Sequence, residues 1–186
     1  MNKFVATDAP ILGVKVIQLR PIVDNRGSLT RLFCSDELSN IGWTRPVIQI
    51  NHTFTSKRGT VRGLHYQLPP HQEMKLICCL KGAVLDISVD VRADSSTLLR
   101  WYGEELSEEN RKLILIPEGV AHGIQTLTDD VEMLYLHSAA FWPSAEAGIN
   151  PLDPSLAIEW DAEITEISAR DAAHEFLQDA FSGIKI

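Results

Sequence analysis

The sequence predicts an all-β domain, a sandwich or barrel of short strands finished by one helical segment at its C-terminal end. Three observations predict it. Short extended runs follow one another with turn signals at close spacing. One of these runs, Val84 to Arg92, alternates with period two: Leu85, Ile87, Val89 and Val91 share one face, and Asp86, Ser88 and Asp90 the other. A convincing helix signal appears only after Ser168.

Gly13 to Pro21 reads as the first strand, with Val14, Val16 and Gln18 alternating with Lys15, Ile17 and Leu19. It ends at Pro21, which has no N–H for a ladder. Asp24-Asn25-Arg26-Gly27-Ser28 is turn chemistry, and Leu29 to Phe33 follows as a second strand. Ser35-Asp36-Glu37-Leu38 reads as one helical turn capped by its serine. Val47 to Asn51 is extended, with Gln49 and Asn51 on one face and Ile48 and Ile50 on the other. The strand that carries His65 stops at Pro69-Pro70. Leu76 to Leu80 runs through the Lys81-Gly82 turn into Val84 to Arg92, whose two faces predict a barrel wall, packed on one side and facing a wet lumen on the other.

Trp101 to Leu106 is extended, Ser107 to Asn110 is a capped turn, and Lys112 to Ile116 is a strand ended by Pro117-Glu118-Gly119. Val131 to His137 sets Met133, Tyr135 and His137 on one face. Ser168 caps a helix expected to reach about Phe181 and to close at Gly183. With no repeat, low-complexity tract or linker, the 186 residues are expected to form a single domain. N-terminal strands would occupy about 1–50, the barrel core about 47–145 and a C-terminal appendage about 150–186.

Charge narrows the function. Seventeen basic residues against 25 acidic ones leave a balance of −8, the wrong sign for a nucleic-acid binder. An anionic ligand would have to be met by a local basic cluster. No apolar run approaches the ~18 residues that span a bilayer, and Met1 to Pro10 has no signal-peptide core, so a cytoplasmic location without membrane contact is expected. Cys34, Cys78 and Cys79 are an odd set without metal spacing. Cys78 and Cys79 point to opposite faces of one strand, and all three are expected to be buried free thiols.

The chemistry concentrates at Arg62-Gly63-Leu64-His65-Tyr66-Gln67, followed by Lys75. An arginine suits an anion, a histidine a proton, and a lysine a developing negative charge: the parts of proton transfer on an anionic substrate. Further on, Pro117-Glu118-Gly119-Val120-Ala121-His122 has the Pro-x-Gly-x-x-His pattern of the second cupin motif, a turn that delivers a histidine onto the lumen face. In metal-binding cupins that histidine joins a His-x-His and a downstream glutamate. Here His65 is followed by Tyr66 and Gln67, and His71 and Glu73 lie on or beyond the proline turn, so no metal and no other cofactor is expected.

These segments, with Asp24-Asn25-Arg26-Gly27, Gln49-Ile50-Asn51-His52, Leu106 to Asn110 and Asp153 to Trp160, resemble the dTDP-4-dehydrorhamnose 3,5-epimerase family in order and spacing, from about Pro21 to Asp171. The resemblance implies a metal-free cupin or jelly-roll barrel, usually a homodimer, that acts on a nucleotide-diphosphate-linked 4-keto-6-deoxy sugar in deoxysugar biosynthesis and inverts C3, C5 or both. It implies that His65 is the base and that Lys75 stabilises the enolate oxygen. Tyr135 would be the acid that returns a proton from the opposite face, and Asp171 the partner that fixes the tautomer of His65. Arg26 and Arg62 would bind the diphosphate, with Gln49, Asn51, His122 and Glu146 lining the substrate; Arg170, beside Asp171, is counted with them.

Each of the catalytic assignments has a plain structural alternative. Asp171, three residues after Ser168, completes a capping box; Tyr135 is a buried strand aromatic; Lys75 is a solvated strand lysine. A cupin that binds a nucleotide sugar without turnover, or one that binds metal, is the other class. The sequence also departs from the family around the nucleobase. Ser28 and Arg31 stand where an aromatic and a glutamate are usual, and Ala140 stands where the first of an aromatic pair is usual, with Phe141 at the second. Arg31 then joins the candidate substrate contacts, and a carrier other than thymidine is the alternative expectation.

Overall fold

The computed structural model describes residues 3–178 and 180–186. The chain opens with β1 (Phe4–Asp8), β2 (Lys15–Leu19), the hairpin of β3 (Ile22–Asp24) and β4 (Gly27–Leu29), and the single-turn α1 (Ser35–Ser39). There follow β5 (Gln49–Thr55), β6 (Thr60–Gln67), β7 (Lys75–Lys81), β8 (Ala83–Asp90) and β9 (Trp101–Ser107). The last elements are β10 (Lys112–Ile116), β11 (Val120–Thr126), β12 (Val131–His137), β13 (Glu146–Gly148), β14 (Glu166–Ile167) and α2 (Ala169–Ala172). They build two main sheets. One has the order β1-β2-β10-β7-β12-β5, the other β13-β6-β11-β8-β9 with β14 parallel to β6.

Period-two patterning decides what lies between the sheets. Ile77 and Cys79 of β7 and Ile114 and Ile116 of β10 pack inward with Val84, Ile124 and Met133. The alternate residues Leu76, Cys78, Leu113 and Leu115 face out, where Leu38 of α1 and Trp43 cover them. The two cysteines therefore sit on opposite faces, as expected, and burial above all raises their thiols, to about 12 for Cys78 and about 11 for Cys79. Cys34 is only partly buried.

Several sequence expectations are corrected. The Leu85, Ile87, Val89 and Val91 face of β8 is packed, as expected, against the C-terminal segment through Ile149, Leu156, Leu177 and Ile184. Its polar face is not wet: Asp86, Ser88 and Asp90 are each 0% exposed, with Asp90 held by Arg92, Ser95 and Thr97. The expected strand over Leu29 to Phe33 is instead β4, ending at Leu29, because Leu32 and Phe33 turn in to cover the first sheet. Ser35 lies inside α1, whose cap is Cys34, without a side-chain hydrogen bond.

The C-terminal helix stops at Ala172 rather than near Phe181. Asn150 Nδ2 donates to the carbonyls of Ala172 and His174 at 3.0 and 2.9 Å, and Asp153 Oδ2 accepts the Leu177 N–H at 2.5 Å. The backbone groups that would continue the helix are thus taken by side chains, and the segment lies over the second sheet as a cover. Asp179 lies outside the described residues, as do the first two residues of the expected N-terminal strands. Sequence reading also passed over β1, where only Phe4 is buried, and the short β13 and β14.

Candidate active site

A cavity of about 1000 Å³ opens between the sheets, large enough for a sizeable ligand. The second sheet supplies His65 from β6 and His122 from β11. The first supplies Tyr135 from β12, Lys75 from β7, and Gln49 and Asn51 from β5. Arg62, Glu146, Asp171 and Arg170 complete the expected set.

His65 is placed by glycines. It pairs with His122 on one side and Gly148 on the other. A Cβ on Gly63, at φ +115°, would lie 2.6 Å from the Gly123 Cα and the His122 carbonyl, so only glycine permits β6 and β11 to approach here. That approach turns the Gly63 N–H to Asp171 Oδ2 at 3.0 Å. Asp171 Oδ1 meets His65 Nε2 at 2.8 Å. A carboxylate only accepts, so Nε2 carries the imidazole proton and Nδ1 keeps the lone pair. Burial alone would raise the Asp171 carboxyl. The hydrogen bonds from His65 and Gly63 and the charges of His65 and Arg170 outweigh it and hold the group well below the usual carboxylate range.

The Ser168 hydroxyl does accept the Asp171 N–H at 3.0 Å, but the Asp171 carboxylate turns to β6, which removes the capping-box alternative. Lys75 is 6% exposed and donates to the His65 carbonyl at 3.0 Å, so it is not a solvated strand lysine. Burial first, then the negative charge of Asp86, push the Tyr135 phenol well above its ordinary range, with Arg62 opposing. Tyr135 therefore stays protonated at neutral pH and borders the cavity. Its ring lies edge-on to His122 at 6.0 Å. His122 Nε2 donates to Asp86 Oδ2 over 2.8 Å, and burial drives the imidazole below its ordinary range against the pull of Asp86.

Arg62 bonds Thr55 Oγ1 at 2.9 Å and, among the described residues, faces no carboxylate, which leaves its charge free for an anion. Arg170 is differently engaged: it pairs with Glu146 at 3.0 Å and lies 3.3 Å from Asp171 Oδ1 and 3.1 Å from His65 Nε2. His65, Asp171 and His174 offer ligand atoms within 4.8 Å of one another. A cation placed there would meet the Arg170 guanidinium, so the trio is a poor fit for a metal. His71, the other candidate ligand, stacks on Trp142 at 4.4 Å, and Glu73 is bound to His137 at 2.7 Å.

Arg26 and Arg31 are not among the cavity residues of this chain. Arg26 sits at the tip of the β3–β4 hairpin, its side chain 85% exposed and paired with Asp24. Arg31 pairs with Glu37. Sequence reading missed Asp86, His137 and His174, and weighed Glu73 only as a metal ligand. His137 had a signal, since it shares the Met133 and Tyr135 face. Asp86 had one too, on the polar face of β8. His174 had none: it packs where a Cβ on Gly148 would stand, 2.3 Å from its Nε2.

The family model described as dTDP-4-dehydrorhamnose 3,5-epimerase matches residues 8–179. The chain is 36% identical over 169 residues to the dTDP-4-dehydrorhamnose 3,5-epimerase of Salmonella typhimurium, covering 90% of this chain and 92% of that protein. It is 34% identical to a dTDP-4-dehydrorhamnose 3-epimerase of Streptomyces niveus, covering 91% and 82%. Among solved structures, the Legionella pneumophila dTDP-6-deoxy-D-glucose-3,5-epimerase in complex with dTDP-4-keto-L-rhamnose superposes with a TM-score of 0.90 at 33% identity, over 98% of each chain.

Proposed function

We propose that this chain, which belongs to the dTDP-4-dehydrorhamnose 3,5-epimerase family and is an isomerase-class epimerase of nucleotide sugars, inverts C3, C5 or both in a nucleotide-linked 4-keto-6-deoxyhexose, in deoxysugar biosynthesis. One observation carries the assignment of roles: His65 from one sheet and Tyr135 from the other border the same cavity, with Lys75 beside them.

The chemistry follows from that placement. A hydrogen on carbon beside a ketone is acidic only because the carbanion delocalises onto oxygen. His65 Nδ1 takes that proton, the C–H pair becomes a C=C bond, and the C4 oxygen carries the charge. Lys75 donates to this oxygen as it becomes anionic, a role in which a single donor contributes ~10²–10³-fold. Tyr135 then protonates the carbon from the opposite wall, the ketone re-forms, and configuration is inverted. The reading has no need of a metal or other cofactor. Arg62 takes the diphosphate, and Gln49, Asn51, His122, Glu146 and Arg170 surround the sugar.

Arg26 and Arg31 enter only in an assembly. Exposed apolar residues support one: Ile50 and Phe54 on the edge strand β5, and Ile48 just before it, are 59%, 53% and 55% exposed, and Ile22, Val23 and Leu29 stand out on the hairpin. In a homodimer that covers these surfaces, the hairpin would carry Arg26 to the neighbouring cavity. Light scattering at micromolar concentration tests this, and a monomer would refute it. A soluble cytoplasmic setting fits the absence, among the described residues, of any helix long and apolar enough to cross a membrane.

The reaction itself is tested by incubation with the nucleotide-linked 4-keto-6-deoxyglucose in deuterated water. Deuterium should appear at C3, C5 or both, and His65→Asn should abolish it. No incorporation with any nucleotide form of the sugar would sink the reading.

A further inference from the structure

Besides His65–Asp171 and His122–Asp86, the cavity holds a third carboxylate–imidazole pair, one to which this mechanism gives no role. Glu73, in the loop before β7, and His137, at the end of β12, have side chains only 9% and 11% exposed. Glu73 Oε1 lies 3.4 Å from Lys75 Nζ, and Glu73 Oε2 lies 2.7 Å from His137 Nδ1. Burial would raise the Glu73 carboxyl, but His137 and Lys75 outweigh it and keep the group ionised.

An ammonium has three donors. Lys75 gives one to the His65 carbonyl and turns another towards its ion-pair partner Glu73, which leaves the third N–H for the cavity that Lys75 borders. The direction of that N–H depends on what holds Glu73. The holding chain has a fixed polarity. The backbone N–H of Phe141, a donor that cannot be turned round, reaches Gln49 Oε1 at 2.9 Å. Gln49 Nε2 must then donate to Asn51 Oδ1, 3.1 Å away. Asn51 Nδ2 is left to donate to His137 Nε2 at 3.2 Å. His137 Nε2 therefore accepts, Nδ1 carries the only ring proton, and it donates to Glu73. Every donor points towards Glu73, and Lys75 meets it from the other side.

We infer that Glu73 and His137 are positioning residues for Lys75: they aim its remaining N–H at the substrate oxygen and, through Asn51 and Gln49, tie that aim to the seat of Phe141 on the cavity wall. The inference rests on the reading of Lys75 as the donor to the enolate oxygen.

Glu73→Gln keeps the shape and destroys the polarity. The single amide oxygen can serve Lys75 or His137 but not both, and the amide nitrogen then confronts a second donor. For a donor misaimed rather than removed, kcat for deuterium incorporation should fall about tenfold, with KM and nucleoside diphosphate affinity within about threefold of the parent. His137→Gln supplies one donor and one acceptor in place of the neutral imidazole and should keep kcat within about threefold, whereas His137→Leu should match the Glu73→Gln loss. Nitrogen-15 NMR of the parent protein at about pH 8 should show His137 protonated at Nδ1 alone. A proton on Nε2, a Glu73→Gln variant with parental kcat, or a loss confined to KM overturns the inference while the epimerase reading stands. A parent protein inert in deuterium exchange overturns both.

Discussion

The substitution Asp171→Asn changes a single side-chain atom and, by the hydrogen-bond geometry, the tautomer of the His65 imidazole. The Gly63 N–H, 3.0 Å from Asp171 Oδ2, is a fixed backbone donor, so the oxygen of the introduced amide must stay with it. The amide nitrogen then faces His65 Nε2 across what is now a 2.8 Å contact. Two donors cannot share that contact. His65 moves its proton to Nδ1, the nitrogen that takes the substrate proton, and the base is blocked without any change in shape. General acid–base groups contribute ~10²–10⁴-fold, which at ~1.4 kcal/mol per tenfold corresponds to about 3–5 kcal/mol of barrier. Deuterium incorporation under single-turnover conditions should slow by that factor, with nucleoside diphosphate affinity preserved because Arg62 is untouched. A loss under about tenfold would refute the argument that Asp171 fixes the base through its tautomer.

Tyr135→Phe removes the acid and spares the base, so deuterium exchange should continue at a carbon whose inversion is slowed ~10²-fold or more; equal losses in both, followed by NMR, would place the acid elsewhere. Acid should destabilise the fold in one direction only. Asp171, Glu73 and Asp90 have depressed carboxyls in the folded chain, so their stabilisation is complete above the unfolded values near ~4 and is lost progressively below them, as pH falls through the lower folded values. His122 and His174 are depressed as well, which extends the loss to the range below ~6.5. Urea midpoints should therefore fall from about pH 7.5 to 5.5 to 3.5, and a rise on acidification would contradict the assignment. Calorimetric titration with dTDP, CDP, GDP and UDP reads the nucleobase: a clear dTDP preference is expected where Phe141, which borders the cavity, replaces the lost stacking walls, and tighter binding of another diphosphate would establish the alternative carrier raised by Ser28, Arg31 and Ala140.

Alternation along strands made much of this fold legible in advance. The Met133, Tyr135 and His137 face of β12 can be read from period-two patterning, whereas β7 and β10 are short continuous apolar runs, buried on both faces, that are read from the turn signals bounding them. β1 escaped because only its first residue is buried. The overlong C-terminal helix has a different cause. Local capping at Ser168 is real, but Asn150 and Asp153, distant in sequence, capture the backbone groups that would continue it. Local propensity is a weak prior when a tertiary side chain can satisfy the same carbonyls.

The site divides in the same way. His65, Lys75, Tyr135 and Asp171 are legible as residue types at family spacing, and the fold brings all four to one cavity. What no spacing reveals is the direction of each hydrogen bond, because that is set across strands. His137 pairs with Gln49 on β5 and with Lys75 on β7, so the β12 register alone puts the imidazole between Asn51 and Glu73. A slip of one residue would turn His137 to the opposite face. The polarity of the chain from Phe141 to Glu73 is then decided by one backbone N–H at its far end. Substitutions at Gln49 or Asn51 should consequently reach Lys75 even though neither side chain is bonded to it.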